Sequence, residues 1–194
     1  MSADFESSKD ALAYGTALLR GDRIRLVQAE ETHLQQLAQW WQSPEWATLQ
    51  QDVVRPQPVS QTVEQFRAWS KNDGPGSAGF AIIAEDELVG HITLWGITPR
   101  ERIGTLAIII GPDHVGQGYG PEATNLMIDY GFLELGLNKI ELQVWAFNDR
   151  AIRAYERSGF VREGVRRAAT FHDGRFHDQV LMGMLAQEFF ARRG

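Results

Sequence analysis

The 194-residue sequence contains no cysteine. Without thiols the chain has no disulfide, no cysteine-ligated zinc and no cysteine nucleophile, which fits a cytosolic protein. It also has no apolar run near the ~18 residues that a membrane-spanning helix needs. Asp4, Glu6 and Asp10 stand where a secretory leader would carry positive charge. We therefore expect a cytoplasmic protein without a membrane partner.

Positive charge is also scarce. Lysine and arginine number 19 against 25 acidic residues, and the formal net charge is −6. This balance disfavours nucleic acid as a partner and favours a cationic ligand. Hydrophobic residues make up 43% and charged residues 23%, as in ordinary globular domains. We predict a single domain over residues 17–194, preceded by an N-terminal extension of residues 1–16.

One stretch, residues 105–130, organises the rest of the chain. It opens with the apolar, β-branched run Leu106–Ile110, which is typical of a buried strand. A glycine-rich loop follows, and Pro121 and Glu122 then suit the first turn of a helix. A strand, a glycine loop and a helix N-terminus together direct several unpaired backbone N–H groups at one point. Such a unit suits a phosphate or pyrophosphate.

The glycine loop fits neither of two common nucleotide-binding motifs. No Gly-Lys-Ser/Thr follows it, which excludes a P-loop. Gly116, Gly118 and Gly120 are spaced G-x-G-x-G, whereas a dinucleotide fingerprint needs G-x-G-x-x-G. From the loop alone, a tight turn without a ligand remains an alternative.

A second stretch, Asn148–Phe160, follows a predicted strand at Ile140–Trp145. Asn148 is a good helix N-cap, Gly159 can end the helix, and the apolar residues between them repeat at helical spacing. The sequences of the two stretches, VGQGYGPEA and NDRAIRAYERSGF, resemble those of the GNAT superfamily of acyl-CoA-dependent N-acyltransferases. It is most similar to the branch with ribosomal-protein N-terminal and polyamine acetyltransferases.

The resemblance runs from about Leu19 to Phe189 and implies a fold and an activity. The fold is α+β (α/β), one domain with a mixed, mostly antiparallel twisted sheet of about seven strands and about four helices. The activity is direct transfer of an acetyl group from acetyl-CoA to a primary amine in a ternary complex, without a metal. A peptide N-terminus, a polyamine and a small-molecule amine all remain open as acceptors. The alternative is a CoA-binding sensor or scaffold without turnover.

The resemblance also implies roles for individual residues. Tyr155 is the expected catalytic acid, because a phenol with a pKa of about 10 is protonated at neutral pH and can donate to the departing thiolate. A packed helix tyrosine is its structural alternative. Val115 stands where the superfamily often has glutamine or arginine. The cofactor-binding residues so implied are Ile108, Ile109, Ile110, Val115, Gly116, Gln117, Gly118, Tyr119, Gly120, Asn148, Ala151 and Tyr155.

The general base and the acceptor pocket are less defined. Glu31, Glu45, Glu101 and a water chain are all open as the base. Tryptophan is dense near the N-terminus and is most simply explained by core packing. The alternative is that a tryptophan walls the acceptor pocket, for which the candidates are Trp41, Trp46 and Trp95.

Two other constellations are weak. His172-Asp173 and His177-Asp178 could suggest a metal, but a zinc site needs a second cluster of ligands, and we predict none. Ser158 lacks the G-x-S-x-G setting of a hydrolase. The sequence gives no oligomeric state, and a homodimer remains open.

The remaining elements are predicted from local patterns. We expect a strand over 18–28, helices over 31–42 and 45–49, and a helix that Ser60 caps with Glu64 nearby. A hairpin should join 80–84 to 88–95, and the last strand should cover 180–185 before a frayed end. No element is assigned to 161–167.

Overall fold

The computed structural model describes residues 5–193 and contains one seven-stranded sheet. The strands are β1 (Ile24–Val27), β2 (Ala78–Ala84), β3 (Glu87–Trp95), β4 (Ile103–Ile110), β5 (Lys139–Trp145), β6 (Val161–His172) and β7 (Arg175–Leu185). The helices are α1 (Ser8–Leu18), α2 (Glu31–Trp41), α3 (Pro44–Gln50), α4 (Val59–Trp69), α5 (Tyr119–Asp129), α6 (Asp149–Ser158) and α7 (Ala186–Arg193). A 3₁₀ turn, Pro112–His114, precedes α5, and a π-helical turn, Tyr130–Glu134, extends it.

The strands follow the spatial order β1-β2-β3-β4-β5-β7-β6. Among the described strands, β4 and β5 form the one parallel pair, and the other neighbours are antiparallel. The predicted α+β fold with a mostly antiparallel sheet of seven strands is therefore confirmed. The helices are more numerous than the expected four, partly because both ends of the described chain are helical.

Each face of the sheet is covered by its own apolar cluster. On one face α5, α6 and α7 pack over alternate residues of the central strands, such as Ile92 and Leu106. On the other face α2 and α4 pack over the intervening residues, such as Ala81 and Ile109. Since side chains alternate between the faces of a strand, consecutive apolar residues in β4 serve both clusters.

The parallel pair is short. Its register covers only Ile103↔Lys139, Gly104↔Ile140 and Thr105↔Glu141. Beyond Thr105, β4 continues to pair with β3 as far as Ile110, whereas β5 pairs with β7 as far as Trp145. The two central strands therefore separate in the middle of the sheet, and a gap opens between residues 106–110 and 142–145.

Four expectations from the sequence need correction. Ser60 does not cap α4, because the helix begins at Val59 with Pro58 before it and without a side-chain cap. The strand expected over 18–28 is shorter, since residues up to Leu18 belong to α1. Residues 161–167, left unassigned, lie in the edge strand β6, and the expected frayed end is α7.

The N-terminal extension is partly helical. Helix α1 has no buried residue and contacts the body of the protein through the Tyr14 hydroxyl, which donates to a Glu134 carboxylate oxygen at 2.9 Å. The division at residues 16 and 17 falls inside this helix and stays a prediction. Residues 1–4 and 194 lie outside the described part. Within residues 5–193, every helix is too short or too polar to cross a membrane.

A buried histidine lies under α4. The His91 side chain is 2% exposed, and its Nε2 is 2.8 Å from the Ser70 hydroxyl oxygen. The rings of Phe66 and Trp69 pack on it, with centroids 5.3 and 6.5 Å away. Burial among these groups lowers the pKa of His91 to about 3, so the imidazole is neutral at physiological pH.

This shift predicts a specific loss of stability in acid. The pKa of His91 in the folded state lies below its value of about 6.5 in the unfolded state. The stabilisation from His91 is therefore present above pH 6.5 and is lost as the pH falls towards 3. Between pH 7 and pH 5 His91 should lower the free energy of unfolding by about 2 kcal/mol. Urea unfolding of the wild type and His91→Gln at both pH values measures this. Between these pH values the free energy of unfolding should fall by about 2 kcal/mol less in the variant than in the wild type. Equal falls in the two proteins would contradict the prediction.

Candidate active site

A cavity of about 550 Å³ occupies the gap between β4 and β5. Helices α5 and α6 form its far walls, and the glycine loop before α5 closes one end. Its size lies within the range typical of small-molecule sites. The predicted cofactor-binding residues that line it are Ile108, Ile110, Val115, Gly116, Gly118, Tyr119, Gly120, Asn148, Ala151 and Tyr155.

The glycine loop takes its shape from two left-handed residues. Gly116 has φ +85° and Gly118 has φ +88°, a region that residues with a Cβ seldom adopt. Gly118 is the N-cap of α5, so the unpaired N–H groups of the first turn and the positive end of the helix dipole point from it. The loop is therefore built to receive an anion.

A charged clamp fixes this loop to β1 from behind. The Arg23 guanidinium donates to the Gln117 carbonyl oxygen at 2.8 Å and forms an ion pair with Glu122 at 3.1 Å. The Glu122 carboxylate also accepts from the backbone N–H groups of Arg23 at 2.9 Å and Ile24 at 3.4 Å. A Cβ on Gly118 would lie 2.8 Å from Arg23 Nη2. These partners bind the Glu122 carboxylate on the side that faces β1, so its negative charge is directed away from the cavity.

The open edge of β4 offers backbone groups to a ligand. The Gly111 N–H donates to the Val89 carbonyl oxygen, and antiparallel pairs alternate between hydrogen-bonded and non-hydrogen-bonded positions. By that alternation Ile109 turns its N–H and C=O towards β3, whereas Ile108 and Ile110 turn theirs towards the gap. Buried backbone groups need partners, so this edge suits the amides of an extended ligand.

Helix α6 brings two polar side chains to the cavity. Asn148 Oδ1 accepts from the Ala151 N–H at 3.2 Å, which caps the helix and leaves the Asn148 amide NH₂ for a ligand. Tyr155 lies two turns further on, half-buried and lining the cavity, with its ring 5.9 Å from that of Phe160. Burial raises the pKa of Tyr155 to about 12, which keeps the phenol protonated at neutral pH.

Basic side chains outnumber the one carboxylate, Asp52, among the described residues that line this cavity. Arg150 and Arg157 line it from α6, and His114 lines it from the 3₁₀ turn. These residues were not predicted as site residues, although arginine on a helix facing a phosphate loop is a recognisable signal. Cationic side chains and a helix N-terminus in one cavity suit a ligand with several phosphates.

A second cavity, of about 620 Å³, lies on the opposite face of β4, under α2 and α4. Its walls include the rings of Trp41, Phe66, Trp69 and Trp95 together with the segment that follows α3. The two cavities share Gln50, Asp52, Ala107 and Ile108, so they meet at the point where β4 leaves β5. A ligand in the first cavity can therefore contact a ligand in the second through the gap in the sheet.

Asp52 is the single carboxylate among the described residues that line either cavity. It follows α3, and its carbonyl oxygen accepts from the Thr170 hydroxyl of β6 at 3.4 Å. Sequence reasoning missed it, because an aspartate in a loop carries no local signal.

The predicted candidates for the general base line neither cavity; they are Glu31, Glu45 and Glu101. Glu31 is ion-paired with Arg67, and the Glu101 carboxylate accepts from the Thr98 hydroxyl.

Several predicted site residues are placed elsewhere. Ile109 is buried beside the second cavity rather than the first. Gln117 lines neither cavity and uses its side chain to hold the loop, donating to the Asp113 carbonyl oxygen at 2.9 Å. Trp41 and Trp95 line the second cavity, and Trp46 lines the first.

The two histidines considered as metal ligands lie together at the β6–β7 hairpin. Their rings pack on Phe147, with centroids 6.4 Å away for His172 and 5.1 Å for His177. His177 Nε2 lies 3.3 Å from the His172 carbonyl oxygen. In the described chain no three histidine, aspartate or glutamate side chains gather as a metal site would require.

Comparison with known proteins gives a consistent result. The family model for the acetyltransferase (GNAT) domain matches residues 23–161. A spermidine N(1)-acetyltransferase of Vibrio cholerae is 36% identical over 109 residues, which cover 56% of this chain and 63% of that protein, less than two thirds of its length. An uncharacterized N-acetyltransferase, p20, of Bacillus licheniformis is 29% identical over 171 residues, 87% of this chain and 96% of that protein.

A solved structure has the same fold. It is the crystal structure of spermidine N-acetyltransferase from Vibrio cholerae in complex with CoA and spermine. The superposition has a TM-score of 0.78 at 26% identity and covers 88% of this chain and 99% of that one. A dodecameric form of spermidine N-acetyltransferase from the same organism superposes with a TM-score of 0.75 at 25% identity, covering 90% and 100% of the two chains.

The loop geometry predicts the effect of one added methyl group. Gly118→Ala should weaken acetyl-CoA binding at least about tenfold, because the left-handed backbone is strained by about 1–2 kcal/mol and the new Cβ displaces Arg23. Gly174→Ala is the matched control, since Gly174 has φ +72° with open space around it in the remote β6–β7 turn. Isothermal titration of both variants measures the affinity. Equal affinities would show that the loop does not bind the phosphates.

Proposed function

The chain belongs to the acetyltransferase (GNAT) family, and from this membership we propose that it transfers an acetyl group from acetyl-CoA to a primary amine. The observation that carries the proposal is the pair of cavities on the two faces of β4 that meet at Asp52 and Ala107. One cavity has the features of a nucleotide site and the other has aromatic walls. Such an arrangement lets two substrates meet in one complex.

The first cavity is proposed to hold acetyl-CoA. The loop at Gly116–Gly120 and the N-terminus of α5 bind the pyrophosphate. The open edge at Ile108 and Ile110 pairs with the amides of the pantetheine arm, and the Asn148 amide contacts the same arm. Arg150 and Arg157 line the same cavity and are available to the remaining phosphate. The thioester then lies near the junction of the two cavities.

The proposed reaction is direct acyl transfer. The neutral amine attacks the thioester carbonyl carbon, the new N–C bond forms, and the C–S bond breaks. The amine gives up its extra proton to Asp52 or to water at the junction. Tyr155 donates its phenolic proton to the departing thiolate, and its raised pKa keeps that proton available over the whole physiological range.

A sensor that binds CoA without turnover has less support. Tyr155 lines the cavity with a protonated hydroxyl, and a pure binder would have no use for a proton donor there. The second cavity opens onto the first, and a sensor would not need a second substrate's entrance. The relatives with a named activity are acetyltransferases.

The similar proteins also bear on the acceptor and the assembly. Spermidine is the acceptor in the names of the Vibrio cholerae relatives, and one of their structures is dodecameric. For this chain an amine acceptor is part of the proposal, and self-association into a homodimer stays a prediction.

Acetyl-CoA binding should raise the melting temperature. At about 100 times its dissociation constant a ligand stabilises the folded state by about 2.7 kcal/mol. For a domain of this size that corresponds to roughly 5–11 °C. Thermal denaturation followed by circular dichroism, with NAD at the same concentration as the control nucleotide, measures the shift. The absence of a shift at saturating acetyl-CoA would contradict the proposal.

Removing the Tyr155 hydroxyl should slow turnover without weakening the binding of acetyl-CoA. Tyr155→Phe keeps the ring and its packing on Phe160, so acetyl-CoA affinity should be unchanged. The loss of a general acid should lower kcat by about 10²–10⁴, less if water protonates the thiolate. Thiol release under steady-state conditions and cofactor titration together measure this. Turnover at the wild-type rate would leave Tyr155 a packing residue.

A further inference from the structure

We infer that the second cavity takes a primary amine with one positive charge on an apolar, preferably aromatic, body, rather than a polycation. The inference rests on the proposed function and names its acceptor. The walls of the cavity carry it, because they contain several aromatic rings and a single carboxylate.

The aromatic walls form a rigid unit. The rings of Trp41, Phe66 and Trp69 pack edge to face, with centroids between 5.1 and 5.7 Å apart. Phe66 is fully buried and supports the two tryptophans, which are half-buried and line the cavity. Trp95 lines it from the end of β3 with 47% of its surface exposed. Ring faces attract an ammonium group and also pack against alkyl or aryl surface.

The described walls of the second cavity offer one anionic partner for an ammonium group. Asp52 is the single carboxylate that the described lining supplies, and the guanidinium of Arg55 lines the same cavity. His91 also lines it and is neutral, since burial lowers its pKa to about 3. Asp52 and Arg55 are both exposed, so a molecule with three ammonium groups would meet one anionic partner and one competing cation there. A monoamine needs only the one partner.

The placement of Asp52 orients such an acceptor. Asp52 lines both cavities, so an ammonium group that contacts it lies at the junction with its body among the tryptophans. Contact with a carboxylate and with ring faces favours the charged ammonium form. The nucleophile is the neutral amine, so the bound ammonium group must first release a proton to Asp52 or to water at the junction.

A comparison of three acceptors tests the inference. Thiol release from acetyl-CoA is measured with 2-phenylethylamine, hexylamine and spermidine. We expect kcat/KM for 2-phenylethylamine to exceed that for spermidine by about tenfold or more, with hexylamine between them. Equal or faster turnover of spermidine would overturn the inference and leave the proposed function standing. If none of the three amines is acetylated while acetyl-CoA still binds, the inference fails, and the proposed function then requires another kind of primary amine, such as a peptide N-terminus.

Matched variants assign the preference to the cavity walls. Trp95→Ala should raise KM for 2-phenylethylamine about fivefold and leave KM for acetyl-CoA unchanged. Phe176→Ala is its control, because Phe176 is 66% exposed at the remote β6–β7 hairpin. An unchanged KM in Trp95→Ala would remove Trp95 from the site.

The carboxylate is tested in the same way. Asp52→Asn should lower kcat/KM for 2-phenylethylamine about tenfold or more, since it removes the partner of the ammonium group. Glu45→Gln changes the net charge equally and lies in the neighbouring α3 but lines neither cavity, so it should retain wild-type activity. Equal activity of the two variants would overturn the role of Asp52.

Discussion

The separation of β4 from β5 is the constraint on which the site depends. Three residue pairs hold the strands together, and β4 then follows β3 while β5 follows β7. A sheet that parts in its middle leaves backbone N–H and C=O groups without strand partners, and such groups need another partner. The gap also joins the two faces of the sheet. Each face can therefore bind its own ligand, and the ligands meet at one point.

Charge is distributed between the faces in keeping with this division. Net charge is negative over the whole chain, yet Arg150, Arg157 and the α5 N-terminus place positive potential in the first cavity. The clamp turns the Glu122 carboxylate away from that cavity. The second cavity carries one carboxylate and one guanidinium on walls that include Trp41, Trp69 and Trp95. Local placement of charge, rather than the overall balance, therefore distinguishes the two sites.

Local signals explain what the sequence could predict. Glycines at positive φ, a proline in the first helical turn and an asparagine cap are each readable in a few residues, and they outlined the loop, α5 and α6. The strand β6 was missed because arginine and glutamate interrupt its apolar residues, as an exposed edge strand allows. Asp52 and Arg23 were missed because their roles depend on segments far away in the sequence. Ile109 was named with Ile108 and Ile110 because the sequence alone does not show which residues of β4 pair with β3.

The clamp between Arg23 and Glu122 joins residues 99 positions apart. The short edge strand β1 is thus tied to the same loop that shapes the first cavity. Local opening of β1 and loss of the loop conformation are then one event, because both depend on the same contacts. A ligand at the loop and the docking of β1 stabilise each other by an equal amount of free energy. Amide hydrogens of β1 consequently report on occupancy of a cavity that they do not touch.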